Sequence, residues 1–526
     1  MHILKPPCDA GVISSARASS PCSKKLGPWI LAATILGSSM SFIDGTVVNV
    51  ALPALQADLN ATGTDVQWVV EAYALFLAAL LLLGGSLGDR FGRRLIYSIG
   101  VTVFALASLW CGLAPNIQHL IIARAIQGIG GALLVPGSLA IISASFGEED
   151  RGKAIGTWSG ATAITTALGP VMGGWLIEHV SWRAVFFLNL PLALIVLFLS
   201  FRFVPESRDE GSGRVDVLGA ALATISLGAI VYGLIESAEA GFDSIGVIIA
   251  LGGGAALLVA FILVEARVRA SLLPLSLFSS RDFSGANLLT FFLYAALMGT
   301  LFFFPLNLIQ VQGYNATEAG AALLPFILIM SGLSRWSGGL VERYGSRLPL
   351  VVGPIIVAAG FALFLIAGVG GSYWKSFFPA VAVLGFGMAI SVAPLTTTVM
   401  NSVKEKHAGI ASGINNAVSR TAGLLAVAVL GVVMFHGFNR CLDQRLDVLQ
   451  VPAEVRSALN AERIKLAAME PPESASEEMR ASLSQAVDEC FVFGFRRVML
   501  IGVALALASS LVAATTLRGR VKRSTN

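Results

Sequence analysis

Fourteen stretches of this chain are each long and apolar enough to cross a bilayer, and no other feature narrows its folding options so far. They fall at 28–54, 66–88, 95–114, 118–140, 154–178, 184–204, 216–237, 244–266, 286–311, 316–340, 348–369, 376–402, 408–435 and 491–516. About 20 apolar residues span the hydrocarbon core, and the longer stretches imply tilt or a projecting turn. Charged residues are 13% of the 526 and hydrophobic ones 55%, with mean hydropathy +0.77. A soluble domain carries roughly 25% charged residues, so the expectation is an all-α polytopic membrane protein. The 55 glycines suit closely packed membrane helices. A net charge of +4 is too small a footprint for nucleic-acid binding. Residues 1–27 are polar and lack the apolar core and cleavage site of a signal peptide, which reads as a short cytoplasmic tail.

Lysine and arginine in the loops set the expected orientation. Counted from an inside N-terminus, the cytoplasmic segments hold Lys5, Arg17, Lys24 and Lys25, then Arg90, Arg93 and Arg94, then Arg151 and Lys153. Further along come Arg202, Arg208, Arg214, Arg267, Arg269, Arg281, Arg343, Arg347, Lys404 and Lys406, with Arg518, Arg520, Lys522 and Arg523 in a tail at 517–526. The short external loops hold only Arg183 and Lys375. The long external segment 436–490 carries Arg440, Arg445, Arg456, Arg463, Lys465 and Arg480, and long loops weigh less in this rule. Both termini are expected in the cytoplasm.

Between the second and third stretches the chain writes GGSLGDRFGRRL, Gly84 to Leu95, and it writes a copy, GGLVERYGSRL, from Gly338 to Leu348. Asp89 aligns with Glu342, Arg90 with Arg343, Gly92 with Gly345 and Arg94 with Arg347. A second echo keeps almost the same spacing, Asn60-Ala61-Thr62 and Asn315-Ala316-Thr317. Parallel six-helix repeats explain both, but the copies lie eight helices apart, so helices 7 and 8 read as an inserted pair. The expected organisation is a six-helix bundle at 28–204, a linker with the inserted pair at 205–270, and a second six-helix bundle at 271–516.

Several motifs then resemble one family. Gly85-x-Leu87-x-Asp89-Arg90-x-Gly92-Arg93-Arg94 is similar to the loop 2–3 signature of the major facilitator superfamily. Asp44-Gly-Thr46-Val-Val-Asn49-Val-Ala-Leu-Pro53, Arg124-Ala-Ile-Gln127-Gly128-Ile-Gly130-Gly131-Ala132 and Gly169-Pro170-Val-Met-Gly173-Gly174 resemble its fourteen-helix drug:proton antiporter group, the EmrB/QacA type. Trp182-Arg183 and Asn189-Leu-Pro191 belong to the same likeness, which covers roughly residues 28–435. The resemblance implies a major-facilitator-type fold, with Asp89 bridging to the N-terminus of helix 13 near His407 as a latch. It also implies that the segment around Gly169, Pro170, Gly173 and Gly174 lies between the halves and limits proton leak.

The residues carry physical readings of their own. Gly92 permits the tight reversal, and Gly85 is expected to let helix 2 approach a neighbour closely. A carboxylate at a helix N-terminus gains about 0.3–1 kcal/mol when exposed and up to ~2 when partly buried. Ionisable residues within a membrane are costly and usually functional, which singles out Asp44 and Arg124. A carboxyl in a low-dielectric cavity holds its proton more tightly, and a nearby arginine reverses that, so changing their separation loads and releases a proton. A fixed Asp–Arg pair that stabilises helix packing is the alternative. Asn49, Glu71, Gln127, Asn415, Asn416 and Arg420 are candidates to line a substrate cavity, with hydrogen bonding between neighbouring helices as the alternative for the helix 13 polar residues. Glu236, Glu265 and Glu318 sit near predicted helix ends, where interfacial water solvates them. Gly128-Ile-Gly130-Gly131 brushes a dinucleotide fingerprint but follows no strand, so close helix contact is the better reading.

No enzyme site, metal cluster, cofactor motif or phosphate-binding loop stands out, so an ion gradient or the solute itself must supply the energy. The expectation is a proton-coupled exporter of amphipathic drug-like compounds in the bacterial inner membrane, working by alternating access as a monomer, with sodium left open. A periplasmic adaptor is compatible with it. The alternatives are an exporter of one endogenous metabolite, lipid or siderophore, a transporter-derived receptor and, more remotely, a membrane enzyme. In 436–490, the runs 453–460 and 477–483, separated by Pro471-Pro472, read as a helical hairpin that brings Cys441 and Cys490 within reach of a disulfide, two unrelated thiols being the alternative.

Overall fold

The computed structural model describes residues 26–209, 215–268, 272–403 and 408–518. Among the described residues fourteen helices meet the length and hydropathy needed to cross a membrane. They are α1 (Gly27–Asp58), α2 (Gly63–Phe91), α3 (Arg93–Gly112), α4 (Ile117–Ser145), α5 (Glu148–His179), α6 (Ala184–Phe203) and α7 (Val217–Ala240). Then follow α8 (Ile245–Arg267), α9 (Arg281–Val311), α10 (Ala316–Ser334), α11 (Arg347–Phe364), α12 (Phe378–Asn401), α13 (Ala408–Val448) and α14 (Glu477–Thr516). No strand occurs among the described residues.

Local chemistry sets many of the boundaries. Thr62 and Asp65 cap α2 reciprocally: the Asp65 amide donates to Thr62 Oγ1 at 3.0 Å and the Thr62 amide to Asp65 Oδ2 at 3.0 Å. The matching Asn-Ala-Thr before α10 uses its first residue instead, with Asn315 and Glu318 forming the capping box. Asn116, Ser280 and Ser476 cap α4, α9 and α14. The two copies of the charged turn each reverse at a glycine in the left-handed region, Gly92 at φ 123° and Gly345 at φ 74°.

The surface of α8 shows which solvent these helices need. Its apolar window has a mean hydropathy of 2.8, yet only 11% of that window is buried, against 61% for α1. Ile245, Ile248, Ile249, Val259, Ile262 and Leu263 point outward. A helix that apolar and that uncovered is stable only in lipid.

Contacts divide the chain into two compact units. One holds residues up to Val48, Ala72–Gly228 and Gly254–Leu275; the other holds Asn49–Glu71, Ala229–Gly253 and Ser276 onward. In the first, α3 packs on α4 and α6, and α4 on α5. Glycines let the α3–α4 axes close in. A Cβ on Gly130 would stand 2.6 Å from the Phe104 amide nitrogen, and one on Gly100 would stand 2.7 Å from that of Leu134. The tight approach of α2 to α4 falls at Gly84, whose Cβ would meet the Ala132 carbonyl, whereas Gly85 has an ordinary 3.7 Å contact with Pro136. The expected role of Gly85 therefore belongs to its neighbour, because side-by-side residues on a helix face different directions.

In the second unit α9 packs on α13 and α14, α11 on α12 and α14, and α10 on α12. Both runs of the hairpin expected in the 436–490 segment are helical, Ala453–Glu462 and the start of α14, but the membrane helices themselves extend into it. Helix α13 continues unbroken to Val448, and α14 begins as early as Glu477, so its legs are extensions of the two membrane helices. No proline or glycine interrupts 438–448, and Leu442, Leu446, Leu483 and Val487 supply a buried seam that rewards the extension. Arg445 pairs with Glu489 across the legs. Ala453–Glu462 is helical and Arg463–Ala468 a tight turn. Cys441 and Cys490 are bonded, their Cα atoms 5.3 Å apart.

Two measurements check this packing. Gly130→Val should cost at least about 1–3 kcal/mol through forced helix separation, giving little monodisperse protein by fluorescence-detected chromatography. Gly160→Ala, where an added Cβ meets nothing within 4 Å, should behave as wild type. Separately, the Cys441→Ser, Cys490→Ser double variant should melt earlier, because the bond closes a segment of 49 residues and such a loop is worth roughly 4 kcal/mol in the chain-entropy account. Alkylation without reduction should leave both native thiols unlabelled.

Candidate functional site

The first unit buries one acid among polar partners from three other helices. Asp44 of α1 is 0% exposed, and Arg124 and Gln127 of α4 are 1% and 0% exposed. The spacing of three residues puts the guanidinium and the carboxamide on one face of α4. Arg124 Nη1 donates to Asp44 Oδ2 at 2.6 Å, and Gln127 Nε2 donates to Asp44 Oδ1 at 2.8 Å. Arg124 Nη1 also donates to Gln127 Oε1 at 2.6 Å, closing a ring of three side chains. The network continues outward: Gln127 Nε2 donates to Ser108 Oγ of α3 at 2.8 Å, and Asn189 Nδ2 of α6 reaches the same oxygen at 3.2 Å.

Aromatic faces complete the setting. The Arg124 guanidinium lies 4.3 Å from the centre of the Tyr73 ring and 6.0 Å from that of Phe186. Stacking of this kind suits a desolvated arginine and is worth about 2 kcal/mol away from water. The Tyr73 hydroxyl bonds Ser41 at 2.7 Å, one turn before Asp44 on α1. Cys111 Sγ lies 3.8 Å from Gln127 Oε1. Both oxygens of the acid are thus saturated by donors. Its charge is balanced by Arg124, which is the arrangement a buried carboxylate requires.

The glycines of α5 bear directly on this acid. Added Cβ atoms at Gly169 and Gly173 would strike Thr46 Oγ1 at 2.6 Å and Val47 Cβ at 3.1 Å, the residues that follow Asp44 on α1. Pro170 and Gly174 are buried in the same helix. Close contact of α5 with the α1 turn that carries Asp44 is therefore what Gly169 and Gly173 secure.

At the charged turn, Asp89 pairs with Arg93 at 2.9 Å, four residues on, and keeps 42% of its side chain exposed. The expected partner near His407 and the side chain of the matching Glu342 lie outside the described residues. Arg90 is exposed over the Phe91 ring. Glu206, beyond α6, was not among the sequence candidates, yet it caps α3: it accepts from the Arg94 amide at 3.0 Å and the Leu95 amide at 3.1 Å. Its burial pushes the carboxyl above the ordinary range, against the pull of those donors and of Arg94. Arg94 Nη1 meanwhile donates to the Val204 carbonyl at 3.1 Å.

The other cavity candidates lie in the second unit. Glu71 is 1% exposed, and among the described residues neither carboxyl oxygen has a hydrogen-bond partner. Gln67, one turn earlier, donates to the Val427 carbonyl at 3.0 Å. Asn415 ties α13 to α9, donating to Thr290 Oγ1 at 2.6 Å and Asn287 Oδ1 at 3.2 Å. Asn416 is exposed and accepts from Arg420 Nε at 3.0 Å. Asn49 is half-buried on α1.

A family profile described as Major Facilitator Superfamily matches residues 34–427. The chain belongs to the major facilitator superfamily. This transporter is 35% identical over 435 residues to the multidrug resistance protein Stp of Mycobacterium tuberculosis, covering 82% of the chain and 80% of that protein. It is 32% identical over 512 residues to the tetracenomycin C resistance and export protein of Streptomyces glaucescens, covering 95% and 94%. In fold it is similar to a bacterial homologue of the human lysosomal transporter Spinster, with a TM-score of 0.68 at 18% identity, covering 95% of the chain and 99% of that structure. The superfamily consists of transporters, so this is a multi-pass membrane carrier of small solutes.

Within this superfamily transporter, sequence reading had singled out Asp44 and Arg124 but not the ring that joins them. Gln127, a cavity candidate by sequence, belongs to that ring, and Ser108 and Tyr73 carry no local signal at all. Removing one partner of a buried pair should be far worse than removing both. Arg124→Ala should cost roughly 3–5 kcal/mol, read as lowered thermal stability in detergent. Adding Asp44→Asn should recover part of that loss.

Proposed function

We propose that this transporter is a proton-driven exporter of amphipathic, drug-like compounds, placed in the bacterial inner membrane with both termini in the cytoplasm. The observation that carries the reading is the saturated Asp44–Arg124–Gln127 ring, buried at membrane depth. The relatives named for drug resistance and export support the substrate class. The crowding of lysine and arginine into alternate loops supports the orientation.

The geometry suggests how protons are exchanged. While Arg124 and Gln127 hold both carboxylate oxygens, Asp44 is ionised and paired. A movement of α1 relative to α4 that lengthens the 2.6 Å contact leaves the carboxylate without its counter-charge in a low-dielectric site, where taking up a proton is the less costly outcome. Re-forming the ring expels that proton. Because Gly169 and Gly173 clamp α5 against α1, motion of α5 is transmitted to the acid. Glu71, Asn49, Asn415, Asn416 and Arg420 would then meet substrate as it crosses. Asp89 would act as the conformational latch by exchanging Arg93 for the start of α13, and the carrier works as a monomer with or without a periplasmic adaptor.

Substituting the acid separates coupling from translocation. In proteoliposomes with an imposed pH gradient, Asp44→Asn should lose uphill accumulation of a cationic dye yet retain counterflow exchange without a gradient. Uphill transport at the wild-type rate would remove Asp44 from the coupling role. A drug-susceptibility panel in a pump-deficient host tests the substrate class, and a variant pattern limited to one endogenous metabolite would overturn it.

A further inference from the structure

Two acids at the ends of the inserted helices hold a second, separate arrangement. Asp216 stands directly before α7 and Glu265 lies in the last turn of α8, both in the first unit, 9% and 3% exposed. Each commits one oxygen to a backbone amide. Asp216 Oδ1 accepts from Gly219 at 2.8 Å, and Glu265 Oε2 accepts from Leu273 at 2.9 Å. The remaining oxygens, Asp216 Oδ2 and Glu265 Oε1, are buried and meet no donor among the described residues.

Those two oxygens converge. A Cβ on Gly219 would stand 2.5 Å from Glu265 Oε1 and 2.7 Å from Asp216 Oδ2, so both border one point that only glycine leaves open. Among the described residues, the charged group facing each acid is the other acid. No basic side chain among the described residues pairs with either, and Arg267, two residues beyond Glu265, is exposed. Two carboxyls so placed cannot both be ionised without a neutralising charge. A buried acceptor with no donor also costs about 1–3 kcal/mol, more when charged. One proton between the inward oxygens answers both demands: the hydroxyl of one carboxyl donates to the other, and the pair carries a single negative charge.

We propose that Asp216 and Glu265 share one proton, forming a proton-binding site distinct from Asp44 that knots together the start of α7, the end of α8 and the chain at Leu273. The site lies outside the ring assigned to coupling, and its role is to fasten the inserted pair to the segment leading into α9. Raising the pH enough to remove the proton leaves two facing carboxylates and loosens the knot.

Infrared difference spectra of the purified, full-length transporter in lipid nanodiscs, taken across a pH series, test this directly. The wild type should show a carboxylic-acid carbonyl band that shifts in heavy water and fades as pH rises. Asp216→Asn and Glu265→Gln should each abolish that band, because neither acid holds the proton without its partner, while Asp44→Asn should leave it. Retention of the full band in both variants overturns the proposal. Thermal stability is the second readout. Since only the folded pair holds the proton, its contribution is present at low pH and is lost as pH rises. Glu265→Gln supplies a permanent N–H donor, so its melting temperature should decline less on the alkaline side than that of the wild type. An unchanged slope would also overturn the shared proton, and Asp216→Asn gives the same two readouts should Glu265→Gln fold poorly. Neither readout depends on transport, so a failed export assay leaves this test intact.

Discussion

A charge inside a helix bundle at membrane depth must bring its counter-charge with it, and the first unit is arranged around that demand. Asp44 is fully buried, and Arg124 and Gln127 hold its two oxygens, Ser108 and Asn189 extend the network, and Tyr73 covers the guanidinium. Buried ion pairs of this kind add little net stability over an apolar core, since desolvation offsets most of the attraction. Their persistence is better explained by what they allow. Under the proposed function, changing the separation of this pair moves a proton, and the glycine contacts of α5 against α1 would let that neighbouring helix act on the acid.

Close packing makes that control possible. Lipid tails give apolar helices no reason to prefer one another, so association depends on intimate contact and on buried polar bonds. Gly84, Gly100, Gly128 and Gly130 supply the contact around α4, each facing backbone of a neighbouring helix. The run at Gly128 to Gly131 thus serves helix packing, as the missing strand before it had suggested. Ser38 to Ser138 at 2.8 Å and Tyr97 to the Ala33 carbonyl at 2.8 Å supply polar bonds between helices in the same unit.

The second unit solves a different problem outside the apolar spans. Helices α13 and α14 run on past their apolar stretches, joined by the Cys441–Cys490 bond and by a seam of leucine and valine. Charged residues of this external segment are paired, with Arg456 to Asp447 at 2.6 Å and Arg463 to Asp443. Exposed pairs contribute only about 0–1 kcal/mol each, so the seam and the bond do most of the stabilising.

Much of this protein was legible in the sequence alone. The fourteen spans, the repeated turn and its glycine, and the likeness to the major facilitator superfamily all rest on local features: run length, residue type and short spacing. So does the suspicion attached to Asp44 and Arg124, because any charge in an apolar run is conspicuous. What lay beyond reach depends on residues far apart in the chain. Glu206 caps α3 through an amide 112 positions earlier, Gln127 bridges an acid 83 residues away, and the close contact falls at Gly84 instead of Gly85. Glu265 reads in the sequence as an ordinary helix-end acid, and nothing local to it points to Asp216, whose oxygen it meets beside Gly219. Hydropathy and spacing report how each helix meets its solvent. Only the tertiary structure decides which helix face meets which neighbour, because that is settled by rotation and depth, to which the apolar pattern of a membrane helix is almost blind.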